Sequence, residues 1–169
     1  MKIEIKKITG KEDLKLWVSW LNDVSSSIYS NRKFKKNTIK SQRKFINIKK
    51  KSPNAILYKI IYNNKFVGLI EIDQINLNHM HCDIGFMLDP KYHSKGIVTR
   101  ALNLICKIAK KKKFRILYGR CYSKNFASIN VFKKNKFKKI ATLKEHYLLS
   151  KINKKFVYDN MLIFEKKLY

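Results

Sequence analysis

The stretch Asp83-Ile84-Gly85-Phe86-Met87-Leu88-Asp89-Pro90-Lys91-Tyr92-His93-Ser94-Lys95-Gly96-Ile97-Val98-Thr99-Arg100-Ala101-Leu102 decides the fold. Ile84 to Leu88 is an apolar run that Asp89-Pro90 stops, which predicts a strand over 80–88. A short polar loop with one glycine follows. Val98, Ala101, Leu102, Ile105 and Ile108–Ala109 then share one face of a helix over roughly 97–110. The first backbone N–H groups of such a helix have no internal partner, and its dipole adds partial positive charge there. A diphosphate fits that end, with Gly96 letting the backbone come close and Lys95 adding charge. Strand, glycine loop and helix are also the parts of an ordinary βα turn, so the fragment alone is a weak signal.

Working outward, the same periodicity assigns the rest of the chain. Upstream, Ala55–Tyr62 and Lys65–Ile75 are β-branched and aromatic runs joined by Asn63-Asn64, a hairpin. Residues 2–8 alternate as an opening strand. Leu14, Trp17, Val18 and Leu21 mark a helix over 11–21. Asn22–Asn37 is a polar loop with a short helix near Ser26–Tyr29, and Thr38 caps a helix running to about Lys50. Downstream, Phe114–Tyr122 is a strand, Asn125–Lys134 a short helix, and Phe137–Leu149 and Lys155–Leu168 a closing pair of strands. The order βααβββαβαββ predicts an α+β fold in a single domain over 1–169. Its central connection should be right-handed.

Composition bounds the function classes. The 169 residues are 45% hydrophobic, enough for a core. The chain has no apolar run long enough to span a bilayer, and its first residues alternate charge with isoleucine. A cytoplasmic protein is the expectation. Cys82, Cys106 and Cys121 are odd in number and lack metal spacing, which fits reduced core thiols. His79 and His81 have no evident third ligand, so no metal is expected. The net charge of +28 attracts phosphates and acidic partners. Of 39 basic residues only Arg32, Arg43, Arg100, Arg115 and Arg120 are arginine, and lysine is spread along the whole chain. Sequence-specific nucleic-acid readers favour arginine, so no specific nucleic-acid partner is expected.

The segment 83–102 resembles the acetyl-CoA loop of the GNAT superfamily, whose pattern is Arg/Gln-x-x-Gly-x-Gly/Ala after a strand ending in an acid and proline. It is most similar to the branch of ribosomal-protein N-terminal acetyltransferases and amino-sugar N-acetyltransferases. Asn125-Phe126-Ala127-Ser128 resembles that family's Asn-x-x-Ser helix start, and Lys144–Tyr147 with Val157–Asp159 resembles its closing hairpin. The resemblance covers about 55–168 well and the N-terminal third loosely. It implies a mixed, mostly antiparallel sheet of six to seven strands, about four flanking helices, and a splayed central parallel pair. It also implies an N-acetyltransferase with acetyl-CoA as donor. Met87 and Leu88 would pair with the pantetheine arm. The backbone of His93, Ser94, Lys95, Gly96, Ile97, Val98 and Thr99 would hold the pyrophosphate, and Asn125 would bond the arm. Direct attack by an amine needs a base, for which Asp83 is the first candidate and Glu71 the second; Ser128 could assist the thiolate. The chain departs from the pattern at His93, Val98 and Lys136, and at Phe132, where many members carry a tyrosine acid.

The acceptor side falls to the N-terminal third. Trp20–Asp23, Tyr29–Arg32, Gln42–Ile46 and Ser52–Asn54 are similar to amino-sugar nucleotide acetyltransferases. That likeness implies Arg32 and Arg43 holding a diphosphate and Tyr147 lining the acceptor pocket. Acetylation of a protein N-terminus is the alternative, and a module that binds acyl-CoA or nucleic acid without turnover is a third. The expected partners are acetyl-CoA and a small-molecule or peptide amine, acidic or phosphorylated, bound by a monomer or homodimer.

Overall fold

A computed structural model describes residues 2–152 and 155–169. In chain order the elements are β1 (Ile3–Lys7), α1 (Leu14–Asn22), α2 (Val24–Ser27), α3 (Ile39–Lys51), β2 (Ile56–Tyr62), β3 (Lys65–Asn76) and β4 (His81–Leu88). There follow α4 (Ile97–Lys111), β5 (Ile116–Tyr122), α5 (Phe126–Lys134), β6 (Lys138–Ile152) and β7 (Lys155–Lys167). The 3-10 turns Asn31–Phe34 and Pro90–Tyr92 lie between them. One seven-stranded sheet runs β1-β2-β3-β4-β5-β7-β6, leaving β1 and β6 as its outer strands. Its neighbours are antiparallel except β4 and β5, which the α4 crossover makes parallel. The expected architecture is present, and the short helix expected near Ser26–Tyr29 is α2, which starts two residues earlier, at Val24.

Local chemistry explains the joints. Asn63 and Asn64 both take positive φ, 46° and 64°, the conformation a two-residue hairpin turn needs and asparagine tolerates. Thr38 and Ser41 exchange hydrogen bonds in a capping box at the start of α3. Asp13 and Asp23 cap α1 and α2 through their carboxylates.

Alternation along the strands then sorts side chains into two cores. Tyr58, Ile60, Val67, Ile70 and Ile72 pack under α4 and α5 in the larger cluster. Leu57 and Leu69 face the other way, into a smaller cluster with Trp17, Trp20, Leu21 and Ile46 of α1 and α3. The buried face of α4 is Ile97, Ala101, Leu102, Ile105, Cys106 and Ala109; Val98 and Ile108, assigned to it from periodicity, are only partly covered. The three cysteines are buried and unpaired, and burial pushes the Cys82 and Cys121 thiols up to about 12.

Candidate active site

The sheet opens at its centre. Pairing between β4 and β5 runs from His81 opposite Ile116 to Ile84 opposite Gly119 and goes no further. Beyond that point β4 stays with β3 as far as Leu88, and β5 stays with β7 as far as Tyr122. Gly85–Leu88 and Arg120–Tyr122 therefore part like the arms of a V. A cavity of about 790 Å³ lies across the opening, lined by both arms, the loop before α4, the start of α5, and the α1–α2 region. An extended ligand can add itself to a strand arm whose hydrogen-bonding edge has lost its neighbour. Met87 and Leu88 occupy that arm.

The start of α4 forms the second part of the site. Its N-cap, Gly96, has φ +69° and supplies no side-chain hydrogen bond, so the first N–H groups of the helix are left for another partner. A Cβ built at Gly96 would meet nothing within 4 Å, which shows free space against the backbone there. Ser94 also has positive φ, 60°. The loop is anchored on both sides. The buried Asp89 carboxylate accepts the Lys91 N–H at 3.0 Å, and His93 Nε2 donates to the Leu88 carbonyl at 3.2 Å. His93, where the family pattern has Arg or Gln, thus ties the loop back to the end of β4. His93, Ser94, Gly96, Ile97, Val98 and Thr99 line the cavity; Lys95 instead lies over the Tyr92 ring at 5.1 Å. These features fit a diphosphate at a helix N-terminus.

The turn from β5 into α5 forms the third part. Asn125 Oδ1 accepts the Ser128 N–H at 3.1 Å, which caps α5 and leaves the amide NH₂ for the cavity that both residues line. The turn is fixed from β7: Asp159, 5% exposed, accepts the Ser123 hydroxyl at 2.5 Å and the Lys124 N–H at 3.1 Å. Burial works to raise the Asp159 pKa, yet these hydrogen bonds hold it below the ordinary carboxylate value. Phe132 is 1% exposed and stacks on Phe164 at 5.2 Å, so a packed ring stands where a tyrosine acid was considered.

The acceptor side differs from expectation at Asp83 and Arg43. Asp83 does not line the cavity; its Oδ2 forms an ion pair with Arg120, 3.1 Å from Nε. Burial raises the Asp83 pKa against the pull of Arg120. Glu71 does line the cavity, and its Oε1 lies 3.0 Å from where a Gly85 Cβ would stand, at the root of the V. Lys49 Nζ is 3.3 Å from Glu71 Oε2, an oxygen that is buried without a hydrogen-bond partner. Of the two arginines singled out, Arg32 lines the cavity, donating to Gln42 Oε1 at 3.2 Å and lying 4.4 Å over Phe45. Arg43 does not line it and is exposed on α3, because its helical position faces away from the sheet.

Tyr147 reaches the cavity because β6 is irregular between Leu143 and Tyr147, with Glu145 at φ 49°. It stacks on Tyr122 at 4.1 Å, and burial raises its pKa first of all. Sequence reasoning missed Arg120, Tyr122 and Asp159. Arg120 had a signal, since it is one of five arginines in a lysine-rich chain and sits on the strand after the α4 crossover. Asp159 lay inside the matched closing hairpin but carried no sign of which turn it would hold.

A parallel strand pair that parts beside an uncapped helix end is the form of a site for an extended phosphate-bearing ligand laid across the sheet. Residues 3–138 match the model of the acetyltransferase (GNAT) domain, and the chain belongs to that family. It is an N-acetyltransferase whose acetyl donor is acetyl-CoA. No curated protein sequence matches the chain. Among solved structures, spermidine N-acetyltransferase from Vibrio cholerae in complex with CoA and spermine is 14% identical with a TM-score of 0.83, over 98% of this chain and 95% of that one. The acetyltransferase from Salmonella typhimurium that modifies the N-terminal serine of ribosomal protein L7/L12 is 16% identical with a TM-score of 0.83, over 99% and 95%. The microcin C7 self-immunity acetyltransferase, in complex with acetyl-CoA and AMP, is 20% identical with a TM-score of 0.81, over 98% and 92%. At these identities the likeness is one of fold.

Proposed function

We propose that this acetyltransferase modifies a primary amine on an anionic acceptor, in the first place an amino-sugar nucleotide. The observation that carries the proposal is the charge on the cavity wall: among the described residues, Arg32, Arg120 and Lys134 line it against one carboxylate, Glu71. The net charge of +28 steers anions toward the molecule and repels polycationic amines. A relative of the same fold is seen with acetyl-CoA and AMP together, which supports a nucleotide beside the donor.

Bound acetyl-CoA supplies an activated acetyl thioester, which the neutral acceptor amine attacks. The backbone N–H groups of Ser94–Thr99 hold the diphosphate, the open edge of Gly85–Leu88 takes the arm, and the Asn125 amide fixes its end. Glu71, at the root of the V and with an oxygen that accepts no hydrogen bond, is the better-placed base for the ammonium proton. Asp83 is committed to Arg120. Ser128, at the mouth of α5, is the hydroxyl nearest in role to the missing tyrosine. The second acceptor is the N-terminus of an acidic protein, favoured by the likeness of 83–102 to the ribosomal-protein branch.

The test is calorimetric titration with acetyl-CoA followed by thiol release with amino-sugar nucleotides, acidic N-terminal peptides and spermidine. Thiol appearing with a nucleotide sugar supports the reading, and thiol with the peptides alone transfers it to the second acceptor. Turnover of spermidine alone overturns the anionic acceptor. Absence of acetyl-CoA binding overturns the donor site as described.

A further inference from the structure

Arg120 is the one cation on the cavity wall whose geometry is that of a reader rather than a packed residue. It lies on β5 one residue past the last β4–β5 pair, so its side chain stands at the inner edge of the open V. Asp83 holds it through Nε at 3.1 Å. An arginine paired through its Nε side still presents its end-on N–H groups, one on each terminal nitrogen, a planar fork matched to a phosphate or carboxylate. No hydrogen bond or ion pair to those terminal nitrogens occurs among the described residues, and the side chain is 48% exposed.

The surroundings fit that role. Asp83 is only 17% exposed, so the anchor is held in a protected position. The stacked rings of Tyr122 and Tyr147 line the same wall, a flat surface against which a base or sugar ring can lie. Across the cavity, Arg32 is already engaged with Gln42 and the Phe45 ring, which makes it the less available of the two arginines.

We infer that Arg120, oriented by Asp83, binds the anionic group of the acceptor and sets the enzyme's preference for anionic over neutral amines. This rests on the anionic-acceptor reading above. It also changes the part played by Asp83, from proton acceptor to a positioning residue that acts through Arg120.

The experiment compares wild type with Arg120→Gln, Arg120→Lys and Asp83→Asn, using the best anionic acceptor of the thiol-release panel and a neutral primary amine. Losing a charge-assisted fork predicts an acceptor KM raised roughly 10- to 100-fold in Arg120→Gln. The KM for acetyl-CoA and the rate with the neutral amine should stay within about twofold of wild type. Arg120→Lys keeps the charge without the fork and should recover only part of the loss. Asp83→Asn should raise the same acceptor KM with a smaller effect on kcat and no loss of the acidic limb of the pH profile. Equal losses for anionic and neutral amines in Arg120→Gln overturn the inference, as does an Asp83→Asn enzyme that loses kcat at unchanged KM.

A second readout separates this inference from the acceptor reading. CoA-loaded protein is titrated with inorganic phosphate while the Arg120 guanidinium signals are followed by NMR. A shift of those signals in wild type, with no comparable phosphate response in Arg120→Gln, supports the anion site even if every amine in the panel fails. Unmoved Arg120 signals overturn it even if a nucleotide sugar turns over.

Discussion

At the scale of single residues, Gly119 and Phe132 explain each other. A Cβ at position 119 would come within 2.2 Å of the Phe132 ring, which is walled in by Phe86, Phe137 and Phe164. Gly119→Ala should therefore destabilise the protein by about 1–3 kcal/mol, the usual range for overpacking a tight core. The denaturant midpoint should fall at unchanged slope, and pairing with Phe132→Leu should recover part of the loss. Glu71→Gln belongs to the same scale. Loss of a general base predicts kcat reduced roughly 10²- to 10⁴-fold, with acetyl-CoA binding by calorimetry unchanged. A kcat within about threefold of wild type would remove Glu71 from the proton-transfer role. The sequence pointed to both carboxylates because both lie on central strands. It put Asp83 first, but which of the two faces the cavity depends on register: Glu71 pairs with Gly85, at the parting of the strands, whereas Asp83 pairs with Tyr118 below it.

Elements were the most legible scale. Hydrophobic periodicity and turn chemistry placed the seven strands and α1, α3, α4 and α5 to within a few residues, since each bears a clear signal such as Thr38, Asn63-Asn64 or Asp89-Pro90. The bulge that brings Tyr147 inward was not legible, because nothing local in Lys144–Tyr147 distinguishes a bulged strand from a regular one. Two predictions belong here. Gly96→Ala places a Cβ on a residue at φ +69° and into the space beside the helix end, so it should cost about 1 kcal/mol in stability. The same change should weaken acetyl-CoA binding about tenfold or more, read calorimetrically, because it obstructs the amides that meet the diphosphate.

The second concerns the joint between β1 and α1. Glu12, its side chain 1% exposed, accepts N–H groups of Thr9 at 3.0 Å and Gly10 at 2.7 Å and pairs with Lys59 at 2.9 Å. Burial acts to raise its pKa, but these partners hold it at about 2, down from 4.5. A carboxylate with a lowered folded pKa stabilises the fold above its unfolded value, and that contribution disappears as pH falls through the folded one. Thermal stability should thus decline from about pH 4.5 toward pH 2, by up to roughly 3 kcal/mol from this group. Glu12→Gln should start less stable and flatten the decline across that window.

At the scale of the whole molecule, charge sets the kinetics of encounter. With a net charge of +28, kcat/KM for an anionic acceptor should fall steeply as ionic strength rises from about 0.01 to 0.15 M, and a neutral amine should show little change. Equal salt responses would mean that the field does not steer the acceptor. The excess of lysine was plain in the sequence, but its division between cavity and surface was not, since that depends on which residues the sheet turns inward.

The long outer strand β6 gives the lysines another consequence. Ile140 and Leu143 point outward from it, 51% and 40% exposed, along an edge whose backbone groups lack a neighbouring strand among the described residues. Such an edge invites copies of a protein to zip together strand on strand. Here the ladder is broken at three places, and Lys138, Lys139, Lys144 and Lys151 stand exposed along it. Bent and like-charged edges resist such pairing, so the positive charge of the chain also opposes strand-on-strand aggregation at β6.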